Sequence, residues 1–419
     1  MNRLTRLAAS VLLLSMLAAC SAPLSPPTPT APSSPAQADA PPAAWPLELL
    51  FVRPEGTKGS LVAYEMADGR QRFSLPAGML SADRKLFYAA DTDGSETQLK
   101  SFDPHTGGEQ SDFTLQGAWA LSGISPTGRW LALTRIVSES EEQTWAAANQ
   151  WKTDVQIVDA QTGQTAHLLS LDGNFEVETI SGKSLFLVQH LPAINPDHYL
   201  IRLYDLSAET LVADPLRSKG ADEVMAGLAW DGVASPDGLW LLTLYLSTRR
   251  NVAFIHTLDL LNKFPLCIDL PSAGGDFDQL KYYSLSLSPD GLKVYATNAV
   301  LGAVAEVDLS QRQVTRTVFF EGNRSATDTS YDPQSPTARS AVSRDGQKLY
   351  FTSGQDVWAY DTKAGTVSGP YAVSTPVLGL GVSSDGQRLY VASADQPLRV
   401  FDTASGQALS FQPASTSGQ

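Results

Sequence analysis

A short turn-and-strand phrase recurs along most of this chain and limits the available folds more than any other feature. Ser288-Pro-Asp-Gly-Leu-Lys-Val-Tyr-Ala-Thr-Asn298, Ser343-Arg-Asp-Gly-Gln-Lys-Leu-Tyr-Phe-Thr-Ser353 and Ser383-Ser-Asp-Gly-Gln-Arg-Leu-Tyr-Val-Ala-Ser393 are three copies of it. Asp-Gly supplies the positive φ values of a tight hairpin turn, and the alternating residues after it read as a half-buried strand. Looser copies begin at Ser81, Ser125, Ser181 and Ser235. A second phrase alternates with the first: LVAYEM, LKSFD, VQIVD, IRLYD, IHTLD, VAEVD, VWAYD and LRVFD. All but the first end in an aspartate: Asp103, Asp159, Asp205, Asp259, Asp308, Asp361 and Asp402. A residue repeated in this way at a turn is expected to cap backbone N–H groups with its carboxylate, not to catalyse.

Units of about 40 to 55 residues with three or four short strands each predict an all-β chain folded as a β-propeller, with small antiparallel sheets around a channel. Eight hairpins favour eight blades. Seven with an irregular closure is the alternative, because the first unit lacks an obvious innermost strand before LVAYEM. The LYV, LYF and VYATN cores and their Ser-x-Asp-Gly turns resemble the YVTN-type and TolB-like bacterial propellers, which are WD-repeat-like, over residues 45–419. An apolar fraction of 43% is ample for such a core and excludes disorder throughout.

The first residues, MNRLTRLAASVLLLSMLAAC, join two arginines to an apolar run and then to small residues, as an export signal does. The run is too short to remain as a bilayer-spanning helix. Leu17-Ala18-Ala19-Cys20 resembles the lipobox of bacterial lipoproteins, which implies removal of residues 1–19 and lipidation of Cys20. Residues 20–44 then form a stalk. Eight prolines and no aromatic occur in 21–44, so the segment cannot build a core, and as polyproline II it would reach up to ~75 Å. Ser21 is not the aspartate that marks inner-membrane retention. The resemblance therefore implies the outer membrane and periplasm in a Gram-negative host, and the outer face of the plasma membrane otherwise.

Charge narrows the partners. Thirty Lys plus Arg stand against 44 Asp plus Glu, a net charge of -14 that becomes -16 once Arg3 and Arg6 leave with the signal peptide. Nucleic acid is excluded as a partner of so acidic a protein, and membrane contact has to come from the lipid alone. Two cysteines, Cys20 and Cys267, rule out a disulfide framework. A monomer is expected.

In a blade numbered from the channel outward, the first-to-second and third-to-fourth connections share one face, here called the turn face. The others share the opposite face, here called the loop face. The insertions at 137–153, 189–198, 247–251, 218–225, 272–283 and 321–339 all fall on the loop face, where binding is expected. Trp145, Trp151, Tyr282 and Tyr283 are candidate stacking surfaces there, although 140–150 also reads as a short helix that packs Trp145 on its blade. Arg249 and Arg250 form a basic spot, and Asp276, Asp278, His190 and His198 complete the candidate ligand-binding set. The two histidines lack a third ligand at metal spacing, and Asp91-Thr-Asp-Gly94 reads as a hairpin turn, not a calcium loop.

Signatures of hydrolases and metal sites are absent, so no catalytic residue, metal or cofactor is expected. Gly182-Lys183-Ser184 lacks the first glycine of a phosphate loop and reads as a turn. Cys267 reads as a small buried residue. The Asp-x-x-Thr-Gly parts of Phe102-Asp-Pro-His-Thr-Gly107 and Val158-Asp-Ala-Gln-Thr-Gly163 resemble repeats of eight-bladed quinoprotein dehydrogenases, but the tryptophan that docks the cofactor is missing after both glycines. The layout resembles more closely the noncatalytic propeller lipoproteins that assist outer-membrane assembly. The expected function is a membrane-anchored scaffold that binds an envelope protein, peptide or glycan; the alternative is a propeller enzyme such as a lactonase, lyase or quinoprotein. Cys20→Ala is expected to move the protein from the membrane fraction to the soluble fraction on centrifugation, and a variant that still sediments with membranes would remove the anchor.

Overall fold

The computed structural model describes residues 48–53, 60–67, 69–217, 225–323, 338–373, 375–393 and 398–409. The expected signal peptide, Cys20 and the whole stalk lie outside them, as do 218–224 and 324–337 of two predicted loops. Among the described residues the strands form seven four-stranded sheets and one three-stranded sheet, each built from consecutive strands. This is the eight-bladed propeller that the repeats predict.

The three-stranded sheet is blade 1, made of Leu49–Val52, Leu61–Glu65 and Gln71–Leu75. Its place in the repeat follows from one hydrogen bond. In blades 3, 4 and 5 the residue after the third strand donates to the residue before the second: Ala160 N to Arg129 O at 2.8 Å, Leu206 N to Lys183 O at 2.9 Å, Leu260 N to Leu239 O at 2.9 Å. Met66 N donates to Glu48 O at 2.9 Å in the same way. The three strands are thus the second, third and fourth of a blade, which is why the first unit has no innermost strand in the repeat pattern.

Both repeated phrases are turn chemistry. Ser288 Oγ donates to Asp290 Oδ1 at 2.5 Å and accepts from Lys293 N at 2.9 Å, while Asp290 accepts from Leu292 N at 3.0 Å. Ser343 with Asp345 and Ser383 with Asp385 repeat all three bonds. Each of the seven strand-end aspartates accepts from a backbone N–H two or three residues on: His105, Gln161, Ser207, Asn262, Gln311, Ala364 and Ser405.

Eight apolar clusters hold the ring, each shared by two adjacent blades. Ala132, Val155 and Ile157 of blade 3 pack on Val177, Leu185 and Leu187 of blade 4. Leu50, Val52 and Met66 of blade 1 pack on Tyr390, Ala392 and Val400 of blade 8, so the ring closes by packing across the first and last blades. On the turn face the last strand of one blade docks on the third-to-fourth turn of the next. Phe113 sits against Gly163, where a Cβ would lie 2.4 Å from its ring, and Tyr371 does the same at Gly406 at 2.5 Å. Both glycines also have positive φ, so a side chain there would meet steric and backbone cost together.

The strand-end carboxylates make the fold acid-sensitive. The Ala364 N–H and then the Lys348 ammonium hold Asp361 below its ordinary 3.8, and the Ser288 hydroxyl and then the Leu292 N–H do so for Asp290. A folded pKa below the unfolded one stabilises the protein fully above pH 3.8, and that stabilisation is lost as pH falls. Asp361→Ala should lower unfolding stability by about 1 kcal/mol in urea titrations at pH 7, and by progressively less as the pH is taken below 4.

Candidate functional site

The 137–153 connection on the loop face contains the helix Glu139–Ala148, started by a capping box between Ser138 and Glu141 and ended by Asn149 in the left-handed region. Trp145 packs edge-on against Trp151 at 5.6 Å between ring centres and lies under the Arg135 guanidinium at 5.8 Å. Arg135 is itself bound by Asp154 at 2.8 Å and Glu141 at 3.1 Å. Both tryptophans remain half-buried. They form one aromatic patch clamped to blade 3.

Of the other candidates, the two tyrosines are placed differently from expectation. Tyr282 and Tyr283 are 5% and 0% exposed, so neither offers a stacking surface; Tyr283 belongs to the apolar cluster of blades 5 and 6 and donates to Pro271 O. Asp276 caps the short helix Phe277–Leu280, and Asp278 pairs with Lys281 at 2.6 Å. Arg250 pairs with Asp269, while Arg249 is exposed and attracts Asp197. His190 stands opposite Tyr199 and His198 opposite Leu191, so the two imidazoles leave opposite sides of the sheet and cannot share a metal. Among the described residues no group of three or more His, Cys, Asp or Glu is arranged to hold a metal ion. Asp93 accepts from Ser95 N and Glu96 N, as a hairpin turn requires. Cys267 is half-buried, its Sγ 3.6 Å from His256 Nδ1.

A second polar group lies on the channel. The inner strands Asn174–Ser181 of blade 4 and Leu228–Ala234 of blade 5 are broken by β-bulges at Val177/Thr179 and Ala229/Asp231, and bulges of this kind re-aim side chains. Asp231 accepts from its neighbour Gly232 N at 2.8 Å and from Leu285 N of blade 6 at 3.0 Å. It also attracts Arg339, which precedes the inner strand Ser340–Val342 of blade 7. Blades 5 and 7 are not neighbours, so this attraction crosses the lumen side of blade 6. Arg339 in turn donates to Leu378 O of blade 8 at 3.4 Å and feels Arg53, at the loop-face end of the first strand of blade 1. Asp231 and Arg339 thus attract each other, and Arg53 repels Arg339, on the loop-face side of the channel.

Both sides of this ion cluster are desolvated: burial raises the Asp231 carboxyl and lowers the Arg339 guanidinium. Glu178 occupies the blade 4 bulge. Burial and then the Glu176 carboxylate push it up to about 7, and it faces the stacked rings of Tyr199 and Tyr245, 4.9 Å apart. Glu176 is held on its other side by His190 Nε2 at 3.2 Å. None of Arg53, Glu178, Asp231 or Arg339 is in the set expected from sequence. The available signal was an acidic residue inside an inner-strand pattern, NFEVETIS and LAWDGVA, where a carboxylate has no reason to be unless it faces a lumen.

No protein-family model matches the chain, and no curated protein does. Among solved structures it is similar to dihydro-heme d1 dehydrogenase NirN in complex with DHE, with 15% identity over 90% of this chain and 74% of that one and a TM-score of 0.52. It is also similar to the Dos1 propeller, with 11% identity, coverage of 85% and 92%, and a TM-score of 0.47. A putative 6-phosphogluconolactonase from Bacteroides uniformis has 15% identity, coverage of 77% and 94%, and a TM-score of 0.40. At such identities the likeness concerns the fold alone.

The raised Glu178 carboxyl has a stability consequence. Between its ordinary 4.5 and about 7 the folded protein keeps a proton that the unfolded chain has released, so stability falls as pH rises through that window. Glu178→Gln, which cannot ionise, should have a higher Tm than the unsubstituted protein at pH 8, with the difference shrinking towards pH 5 in thermal scans.

Proposed function

We propose that this protein is an exported lipoprotein, anchored through Cys20, whose propeller binds an envelope protein, peptide or glycan through its loop face. The electrostatic coupling of Arg53, Asp231 and Arg339 from three blades on the loop-face side of the channel carries this reading. The mouth lies on the face that bears the long connections and the Trp145–Trp151 patch. Desolvated charges of both signs on a rigid inner ring suit recognition of a polar group that enters the mouth, while the surrounding loops supply area.

A propeller enzyme is the second reading, favoured by one observation. Burial and then Glu176 push the Glu178 carboxyl up to about 7 beside the buried Tyr199 and Tyr245 rings, in the range of a general acid or base. The two readings differ in what Glu178→Gln removes. A scaffold keeps its partner, whereas an enzyme loses turnover without losing its substrate.

Detergent-solubilised envelopes, cross-linked and captured on the full-length protein, test the first reading. Arg339→Ala and Asp231→Asn should each reduce recovery of a specific partner at least tenfold, while Lys363→Ala on the turn face should leave it unchanged. Equal recovery by all of these folded variants would overturn a loop-face site.

A further inference from the structure

A second feature lies on the turn face, at the junction of blades 3 and 4. An open cleft of about 380 Å³ separates them, with Ile157 and Leu206 as its floor, Trp130 and His167 on the blade 3 side, and Lys183 and Glu209 on the blade 4 side. A volume of this size matches a small-molecule pocket. At comparable junctions the space is taken by the chain's own aromatics, as with Phe73 on Gly107, Phe113 on Gly163 and Tyr371 on Gly406. In blade 4 the position of the glycine is taken by Glu209, which His167 of blade 3 approaches to 3.6 Å, so no Phe or Tyr ring fills the gap.

Glu209 holds a left-handed backbone at φ 51, a conformation that strains a non-glycine residue. Two other blades place a charge at this position, and in one of them the charge has close partners. Arg312 binds the buried Asp259 at 2.9 Å and lies over Phe264 at 4.9 Å, and Lys263 attracts Asp205. Glu209 has only His167 at 3.6 Å, with its own side chain 74% exposed. So open a pair adds little stability. The strain at Glu209 therefore lacks the compensation that Arg312 has.

We propose that this cleft binds a single sugar ring. The Trp130 indole, which carries the Arg129 guanidinium at 5.4 Å on its ring, supplies an apolar wall for the C–H face of a pyranose, and Leu206 lies beneath it. The rim combines an acceptor (Glu209), a donor (Lys183) and an imidazole able to do either (His167), which is what ring hydroxyls need. A phosphorylated ligand fits poorly, since one ammonium faces a carboxylate on an acidic protein. The site is independent of the loop-face reading and lies on the other end of the blades.

The test titrates the full-length, detergent-solubilised protein with methyl β-D-glucopyranoside, N-acetylglucosamine and glucuronate, using ligand-observed NMR and calorimetry. At least one is expected to bind with a Kd on the order of 1 to 10 mM. Glu209→Gly should weaken that binding at least tenfold while raising Tm, because glycine adopts the left-handed backbone without strain; Lys183→Ala should weaken binding with Tm unchanged. Three results would each overturn the proposal: no binding of any probe at 20 mM, binding that both variants retain, or a lower Tm in Glu209→Gly, which would show Glu209 to be kept for its contact with His167.

Discussion

Each blade depends on its neighbours, because a small antiparallel sheet has two apolar sides and can cover neither alone. The eight apolar clusters are therefore shared between blades, and each sheet contributes one side to the cluster before it and the other to the cluster after it. Such a chain reaches stability only when the ring is complete. Polar contacts then fix how the blades sit. Thr179 Oγ1 donates to Ile124 O at 3.1 Å between the inner strands of blades 4 and 3, and Ser286 and Ser340 share a hydroxyl bond at 2.7 Å between blades 6 and 7. Further out, Glu306 is 2% exposed and joins Lys293, Arg316 and the Tyr360 hydroxyl, which couples blades 6 and 7 with its charge fully partnered.

The two faces of the ring carry different loads for the same reason. On the turn face, the Ser-x-Asp-Gly hydrogen bonds and the docking of aromatics on glycines leave little room for variation. The loop face lacks the repeated Ser-x-Asp-Gly turns among the described residues, and insertions collect there at small cost. A functional group on the turn face must therefore come from a position where docking has been relaxed. The junction of blades 3 and 4 is such a position.

The inner ring explains why the channel can hold charge. Bulges in the inner strands of blades 4 and 5 break the alternation, so acidic residues can leave the sheet without breaking the apolar clusters on either side. Asp231 keeps two backbone N–H bonds as it does so. A desolvated carboxylate held this way attracts a guanidinium across the lumen without needing a covalent neighbour.

Much of the fold was legible in the repeats, since turn hydrogen bonds, strand alternation and caps act over a few residues and leave a local pattern. The seven aspartate caps, the three-stranded first unit and the helix around Trp145 follow from such patterns. Tyr282 and Tyr283 did not, because a loop's position in sequence says nothing about whether its aromatics turn into the adjacent core, as Tyr283 does. Arg53, Asp231 and Arg339 were likewise invisible as a group: they come from three repeats, and only ring closure sets them around one lumen. Sequence by itself determined the unit and its turn chemistry, which are local. Tertiary structure alone decided which side chains share a mouth or a cleft, because that depends on the angles and bulges of blades that never meet along the chain.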